Sequence, residues 1–118
     1  MKQLILMNPE DVPDREGESL PLREAVRAVV IDQDNKIGLI HVQKENYYKL
    51  PGGGIDENED KITALDRECQ EEIGCSIEVI SEIGITTEYR KIAGRKQISY
   101  CYLAKVKGEK GVADLEDH

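Results

Sequence analysis

The sequence predicts one mixed α/β domain, on three observations. A single segment, Asp60–Ile73, carries helical periodicity. The stretches on either side are short, β-branched and bounded by turn residues. The chain has 118 residues, enough for one modest core and no more, so 1–118 is read as one domain.

The elements follow in order. "MKQLILMNPED" opens the chain with a short apolar stretch, read as a strand. It lacks the long apolar region and small-residue cleavage site of a signal peptide. Asn8–Pro21 is polar, with two internal prolines and a glycine, and reads as a loop. Arg23–Asp32 is β-branched and reads as a strand, Asp32–Asn35 as a turn, and Lys36–Gln43 as the returning strand of a hairpin. Tyr47–Leu50 reads as a short strand running into the glycines of Pro51–Gly54. Beyond the helix, Cys75–Lys91 reads as a strand bent near Gly84, Ala93–Lys96 as a turn and Gln97–Val106 as the closing strand.

Composition narrows the function classes. Hydrophobic residues make up 39% and charged residues 34%, a globular balance. No apolar run approaches the roughly 20 residues that span a bilayer, which argues against a membrane partner. A formal net charge of −8 argues against a stable nucleic-acid partner held by a broad basic surface. Anionic substrates stay open, because bound divalent cations invert the local field. Cys69, Cys75 and Cys101 form no CxxC pair and read as small buried hydrophobes in a reduced, cytoplasmic protein without a zinc site.

In the helical segment, Ile62, Leu65, Cys69 and Ile73 define one buried stripe. Asn58, Glu59 and Asp60 suit its N-terminal end, and Gly74 its C-terminal stop. Glu68, Glu71 and Glu72 then share one face off that stripe. Like charges at such spacings destabilise a helix by a few tenths of a kcal/mol per pair. Arg67 can pair with Glu71 at i+4 but cannot neutralise three acids. Clustered carboxylates are hard oxygen ligands suited to Mg²⁺ or Mn²⁺. A glutamate-rich helix face is usually only solvated. The glycine run before it shifts the balance, because glycines let the backbone approach a ligand closely.

From Gly53 to Cys75 the residues resemble the Nudix box of the Nudix (MutT-like) hydrolases. The pattern is G-x5-E-x7-R-E-U-x-E-E-x-G-U, with U a bulky aliphatic residue. Gly53, Glu59, Arg67, Glu68, Glu71, Glu72 and Gly74 occupy the fixed positions. A chance match at one start is on the order of 10⁻⁸ to 10⁻⁹ at average composition. Both U positions hold cysteine, Cys69 and Cys75. The resemblance covers roughly residues 23–107.

That resemblance implies an α/β/α sandwich around a mixed sheet. It implies metal-dependent hydrolysis of a nucleoside diphosphate linked to a group X, releasing a nucleoside monophosphate and phosphate-X. It implies that Glu68, Glu71, Glu72 and the carbonyl of Gly52 ligate Mg²⁺ or Mn²⁺. Glu59 and Arg67 would orient those ligands, and Glu71, ahead of Glu68, would act as general base. Glu88 and Glu109 are further candidates for the base. Arg27, Lys44 and Lys49 are candidates for phosphate contact, although each also reads as solvated surface. The tyrosines Tyr47, Tyr48, Tyr89, Tyr100 and Tyr102 are the only aromatics available to stack on a base, and each also reads as core or sheet packing. The expected substrate is a small nucleotide.

Family members usually continue into a further strand and a closing helix, whereas this chain holds only Gly108–His118 there, so the C-terminal helix is expected to be missing or truncated. The expectation is a homodimer or weakened stability. A Nudix-fold module that binds a nucleotide without cleaving it is the alternative, and the intact glutamates argue against it. The isoprenoid-diphosphate isomerase branch would need Cys101 as a catalytic cysteine and a longer chain.

Overall fold

The computed structural model describes residues 1–108. Its elements are β1 (Gln3–Met7), α1 (Asp14–Glu18), β2 (Leu22–Ile31), β3 (Ile40–Val42), β4 (Tyr47–Lys49), β5 (Gly52–Gly54), α2 (Lys61–Ile73), β6 (Ser76–Arg90) and β7 (Arg95–Lys107). A 5-stranded sheet runs β1-β6-β7-β2-β5, and β3 and β4 form a separate 2-stranded sheet. The large sheet is mixed. β1–β6 and β2–β7 are parallel, whereas β6–β7 and β2–β5 are antiparallel. This is the α/β architecture the sequence predicts. The closing-helix expectation falls on residues outside those described, as does Glu109.

The core forms where α2 lies on the sheet. Val26, Ala28 and Val30 from β2 meet Ala64, Leu65 and Cys69 from α2, with Ile77, Tyr102 and Ala104 from β6 and β7. Side chains alternate along a strand, so Arg23, Ala25 and Arg27 stand on the opposite face of β2. Asp60 caps α2, accepting a hydrogen bond from the Thr63 N–H at 2.7 Å. Gly74 ends it in a left-handed conformation (φ 66°). The buried stripe differs from its sequence reading at one end. Ile62 is exposed and Ala64 takes its place, while Leu65 and Cys69 are fully buried.

Three local expectations are corrected. The Asn8–Pro21 loop contains the short helix α1, whose Gly17 sits under the Tyr89 ring. Lys36–Gln43 does not return along β2. Only Ile31 and Ile37 form a bridge, and β3 pairs instead with β4. The place beside β2 is taken by β7 and by the glycines, which form the edge strand β5 rather than a loop. The kink expected near Gly84 is present as a register shift between Glu82 and Gly84. At the opposite edge, all five residues of β1 are exposed, the kind of surface a homodimer would need to cover.

Candidate active site

The glycine strand β5 lies between β2 and the C-terminal half of α2, and its hydrogen bonding divides by residue. Pro51 accepts from the Ala28 N–H, and the Ile55 N–H donates to Glu24. The antiparallel ladder alternates, so Gly52 and Gly54 turn their peptide groups away from β2 and off the sheet edge. Side chains of α2 meet them there. The Gly52 N–H donates to Glu72 Oε1 at 2.9 Å, and the Gly54 carbonyl accepts from Arg67 Nη2 at 3.2 Å. Between them, a Cβ on Gly53 would lie 2.6 Å from Glu68 Oε1. Three successive glycines therefore meet Glu72, Glu68 and Arg67. Gly52 also has φ 146°, and a Cβ there would collide with the Val26 carbonyl.

Arg67 organises the acids. Its Nε and Nη2 donate to the two oxygens of Glu59 at 2.8 and 2.9 Å. Its Nη1 donates to Glu68 at 3.0 Å and lies 3.6 Å from Glu71. The i+4 pairing expected from sequence is thus present but is the longer contact, and Glu59 is the main partner. Arg67 holds the Glu59 carboxyl down to about 2, helped by the Asp56 N–H. Glu59 in turn pushes the Arg67 guanidinium further up. The three glutamates of α2 differ in environment. Glu72 is buried, Glu68 nearly so, and the Glu71 side chain is 59% exposed. Glu68 and Glu72 are turned toward β5, whereas Glu71 reaches solvent. Cys69 lies beneath them, its thiol pushed up to about 12 first by burial and then by the Glu72 charge.

The far face of β2 carries a second charge group that sequence reasoning noticed only at Arg27. A Cβ on Gly54 would lie 2.9 Å from Arg23 Nη2. Arg23 donates to Gln97 Oε1 at 2.6 Å. Burial lowers its pKa, and the positive charges of Arg95 and Arg27 lower it further, against a pull upward from Glu68. Arg27 stands opposite Gly52 in the ladder. Arg27 Nη1 and Arg95 Nε are buried without a hydrogen-bond partner among the described residues. Alternation along β2 was the signal that could have put Arg23 on one face with Arg27, whereas Arg95 joins them only through the parallel pairing of β2 with β7.

The other candidates lie apart. Lys49 ends β4 opposite Ile40, and Lys44 is exposed in the turn before it. Glu88 is nearer, on β6 opposite the Gln97 that accepts from Arg23, and lies 3.7 Å from Arg90. Tyr89 and Tyr102 are buried, Tyr100 is half-buried on Glu24, and Tyr48 stacks on His41 in the exposed hairpin.

Among the described residues no three His, Cys, Asp or Glu side chains converge into a ready-made metal cage. Arg67 draws Glu68 and Glu71, while Glu72 is turned to Gly52. The donor set still fits Mg²⁺ or Mn²⁺. Mg²⁺ is held through one or two carboxylates, water and substrate phosphates rather than by an all-protein cage, and the outward peptide group of Gly52 adds a carbonyl at the same edge.

Known proteins resemble this chain in sequence and in fold. A family model described as NUDIX domain matches residues 21–118. An RNA pyrophosphohydrolase of Pelagibacter ubique is 43% identical over 68 residues, covering 54% of this chain and 42% of that protein. One from Rhodopseudomonas palustris is 32% identical over 89 residues, covering 66% and 51%. The chain thus spans about half the length of these curated relatives or less. Among solved structures, a MutT protein from Methanosarcina mazei superposes with TM-score 0.67 at 18% identity, covering 85% of this chain and 75% of that one. A MutT NUDIX hydrolase from Burkholderia pseudomallei gives 0.67 at 24%, covering 80% and 74%. At these identities the structural likeness speaks for the fold.

Proposed function

The chain belongs to the Nudix family, and from that premise we propose that it is a divalent-metal-dependent pyrophosphohydrolase acting on a nucleoside 5′-diphosphate group linked to X. The observation that carries this reading is the meeting of Gly52, Gly53 and Gly54 with Glu72, Glu68 and Arg67. It sets carboxylates, a backbone carbonyl and an orienting guanidinium at one sheet edge. The name shared by the curated relatives, RNA pyrophosphohydrolase, supports a phosphate chain at an RNA 5′ end as one form of substrate. The net charge of −8 does not oppose this. Holding a chain end takes a local site rather than a broad basic surface.

Glu68, Glu71, Glu72 and the Gly52 carbonyl would hold Mg²⁺ or Mn²⁺. The bound ion supplies charge neutralisation on the phosphates and a more acidic water. Arg67 keeps Glu68 beside Gly53, and Glu59 fixes Arg67. Glu71, the most exposed of the three acids, takes the proton of the attacking water, with Glu68 as the other carboxylate within reach of the same guanidinium. Arg27, opposite Gly52, steadies a phosphate, and Lys49 is the further candidate for that contact. The products are a nucleoside monophosphate and phosphate-X.

The test is a substrate panel with Mg²⁺ or Mn²⁺: nucleoside triphosphates, oxidised nucleotides, ADP-ribose, nucleotide sugars, dinucleoside polyphosphates and a 5′-triphosphorylated RNA oligonucleotide. An EDTA-sensitive hit is expected. Silence across the panel from folded, metal-binding protein would overturn the hydrolase reading in favour of a nucleotide-binding module.

A further inference from the structure

Arg23, Arg27 and Arg95 need an anion that the described residues do not supply. Arg23 and Arg27 share one face of β2, and Arg95 lies on the neighbouring strand β7, two residues from the Gln97 that pairs with Arg23. None of the three makes an ion pair among the described residues, although the chain as a whole is acidic. Glu88, which pairs with Gln97 across β6 and β7, is engaged by Arg90 instead. Two guanidinium N–H groups, at Arg27 Nη1 and Arg95 Nε, are buried and unpaired. An unpaired buried donor is costly and uncommon, and one on a charged group more so. Half-buried guanidiniums, two of them with a buried unpaired N–H and the third held among the described residues only by the neutral amide of Gln97, fit an anion carrying several charges and many acceptor oxygens.

The cluster has a definite place relative to the acids. Gly53 and Gly54 are consecutive, and the Cβ positions they lack point respectively at Glu68 and at Arg23. Only a side-chain-free edge strand therefore separates the carboxylates from the arginines. A phosphate chain lying along that edge can meet the acid side, through metal, at one phosphate and the guanidiniums at the next.

We propose that Arg23, Arg27 and Arg95 form a cradle that selects substrates whose phosphate chain ends in a free terminal phosphate over those capped at both ends. This rests on the hydrolase reading for its substrate class and adds the discriminating residues. A terminal phosphate carries close to two charges near neutral pH, because its second pKa lies near 6, whereas a phosphate esterified on both sides carries one. Its three free oxygens can accept from several forks at once, which is where guanidinium pairs are strongest. Capping removes both a charge and an acceptor.

Binding in EDTA separates the arginines from the metal. Calorimetry would compare a nucleoside triphosphate with a nucleotide sugar on wild type, Arg23→Gln, Arg27→Gln and Arg95→Gln, with Arg→Lys at each position and a melting curve as folding controls. The expected result is a preference of about tenfold for the triphosphate. Each Gln variant should lose about tenfold for it and under about threefold for the sugar, with partial rescue by Lys. Equal losses on both ligands would overturn the selection of chain ends. Unchanged binding in all three folded variants would overturn the cradle. If the binding pattern holds while no substrate is cleaved with metal present, the cradle stands and the hydrolase reading falls.

Discussion

Arg67 grips Glu59 with two nitrogens, Nε to Oε2 at 2.8 Å and Nη2 to Oε1 at 2.9 Å, and points its remaining nitrogen at Glu68. One planar fork therefore links an acid before the helix to an acid within it. Lysine keeps the charge but cannot span both. Arg67→Lys is expected to lower kcat/KM or the apparent Mg²⁺ affinity by about 10- to 100-fold, the range for residues that orient metal ligands. A Mg²⁺ titration of activity checks this, and a variant with wild-type metal dependence would remove the orienting role.

The same pair makes a prediction for acid stability. Glu59 has its pKa depressed from 4.5 to about 2. A depressed carboxylate adds stability above its unfolded value and loses that contribution as pH falls through its folded value. The stability gap between wild type and Glu59→Gln should therefore be full at neutral pH. It should narrow below about 4.5 and close near 2. Denaturant melts of both proteins across that window would measure it. A gap that stays constant down to pH 2 would show that the charge pairing contributes nothing.

The glycines explain why part of this site could not be read from sequence. The shared face of Glu68, Glu71 and Glu72 was legible because helical periodicity places residues without knowledge of the rest of the fold, whereas Glu59 and the role of Arg67 came from the resemblance to the Nudix box. The strand character of Gly52–Gly54 was not legible. Glycine has low strand propensity, and its pairing with β2 depends on a partner about 25 positions earlier in the chain. The mispairing expected for Lys36–Gln43 has the same origin. A hairpin is the local reading, whereas the real neighbour of β2 is the parallel strand β7, far along the chain. Arg23 and Arg95 were missed because only that parallel register sets them side by side.

Gly53 and Gly52 should fail differently when changed to alanine. At Gly53 the new methyl meets the Glu68 carboxylate at 2.6 Å, a side chain that can swing away. Gly53→Ala should keep most of its stability and lose activity. At Gly52 the methyl meets the Val26 carbonyl, at a φ of 146° that disfavours a side chain. Gly52→Ala should lose about 1–3 kcal/mol from backbone strain. Paired melting and turnover measurements would distinguish them, and equal loss of stability in both would contradict the assignment.

The cysteines should react in order of burial. Cys69 and Cys75 are buried, whereas Cys101 is half-buried. The Cys69 thiol, raised to about 12, supplies almost no thiolate near neutrality. Alkylation of the native protein should modify Cys101 first and leave Cys69 protected until denaturant is added. Early labelling of Cys69, read by peptide mass, would mean that α2 does not pack on the sheet as described.

Glu72 tests the carboxylate site most sharply, because its two roles can be separated. It is buried, and its Oε1 accepts the Gly52 N–H at 2.9 Å. Glutamine has the same shape and a carbonyl oxygen able to accept that hydrogen bond, so Glu72→Gln removes the charge and keeps the tie to β5. Alanine removes both and leaves the Gly52 N–H without this acceptor. That should destabilise the fold by about 1–3 kcal/mol. The Gln variant should melt close to wild type yet lose activity by about a hundredfold or more, at or beyond the top of the range for residues behind the ligands. If Glu72→Gln instead turned over normally, Glu72 would be a strap for the glycine strand rather than a metal ligand, and the ion would have to rest on Glu68 and Glu71.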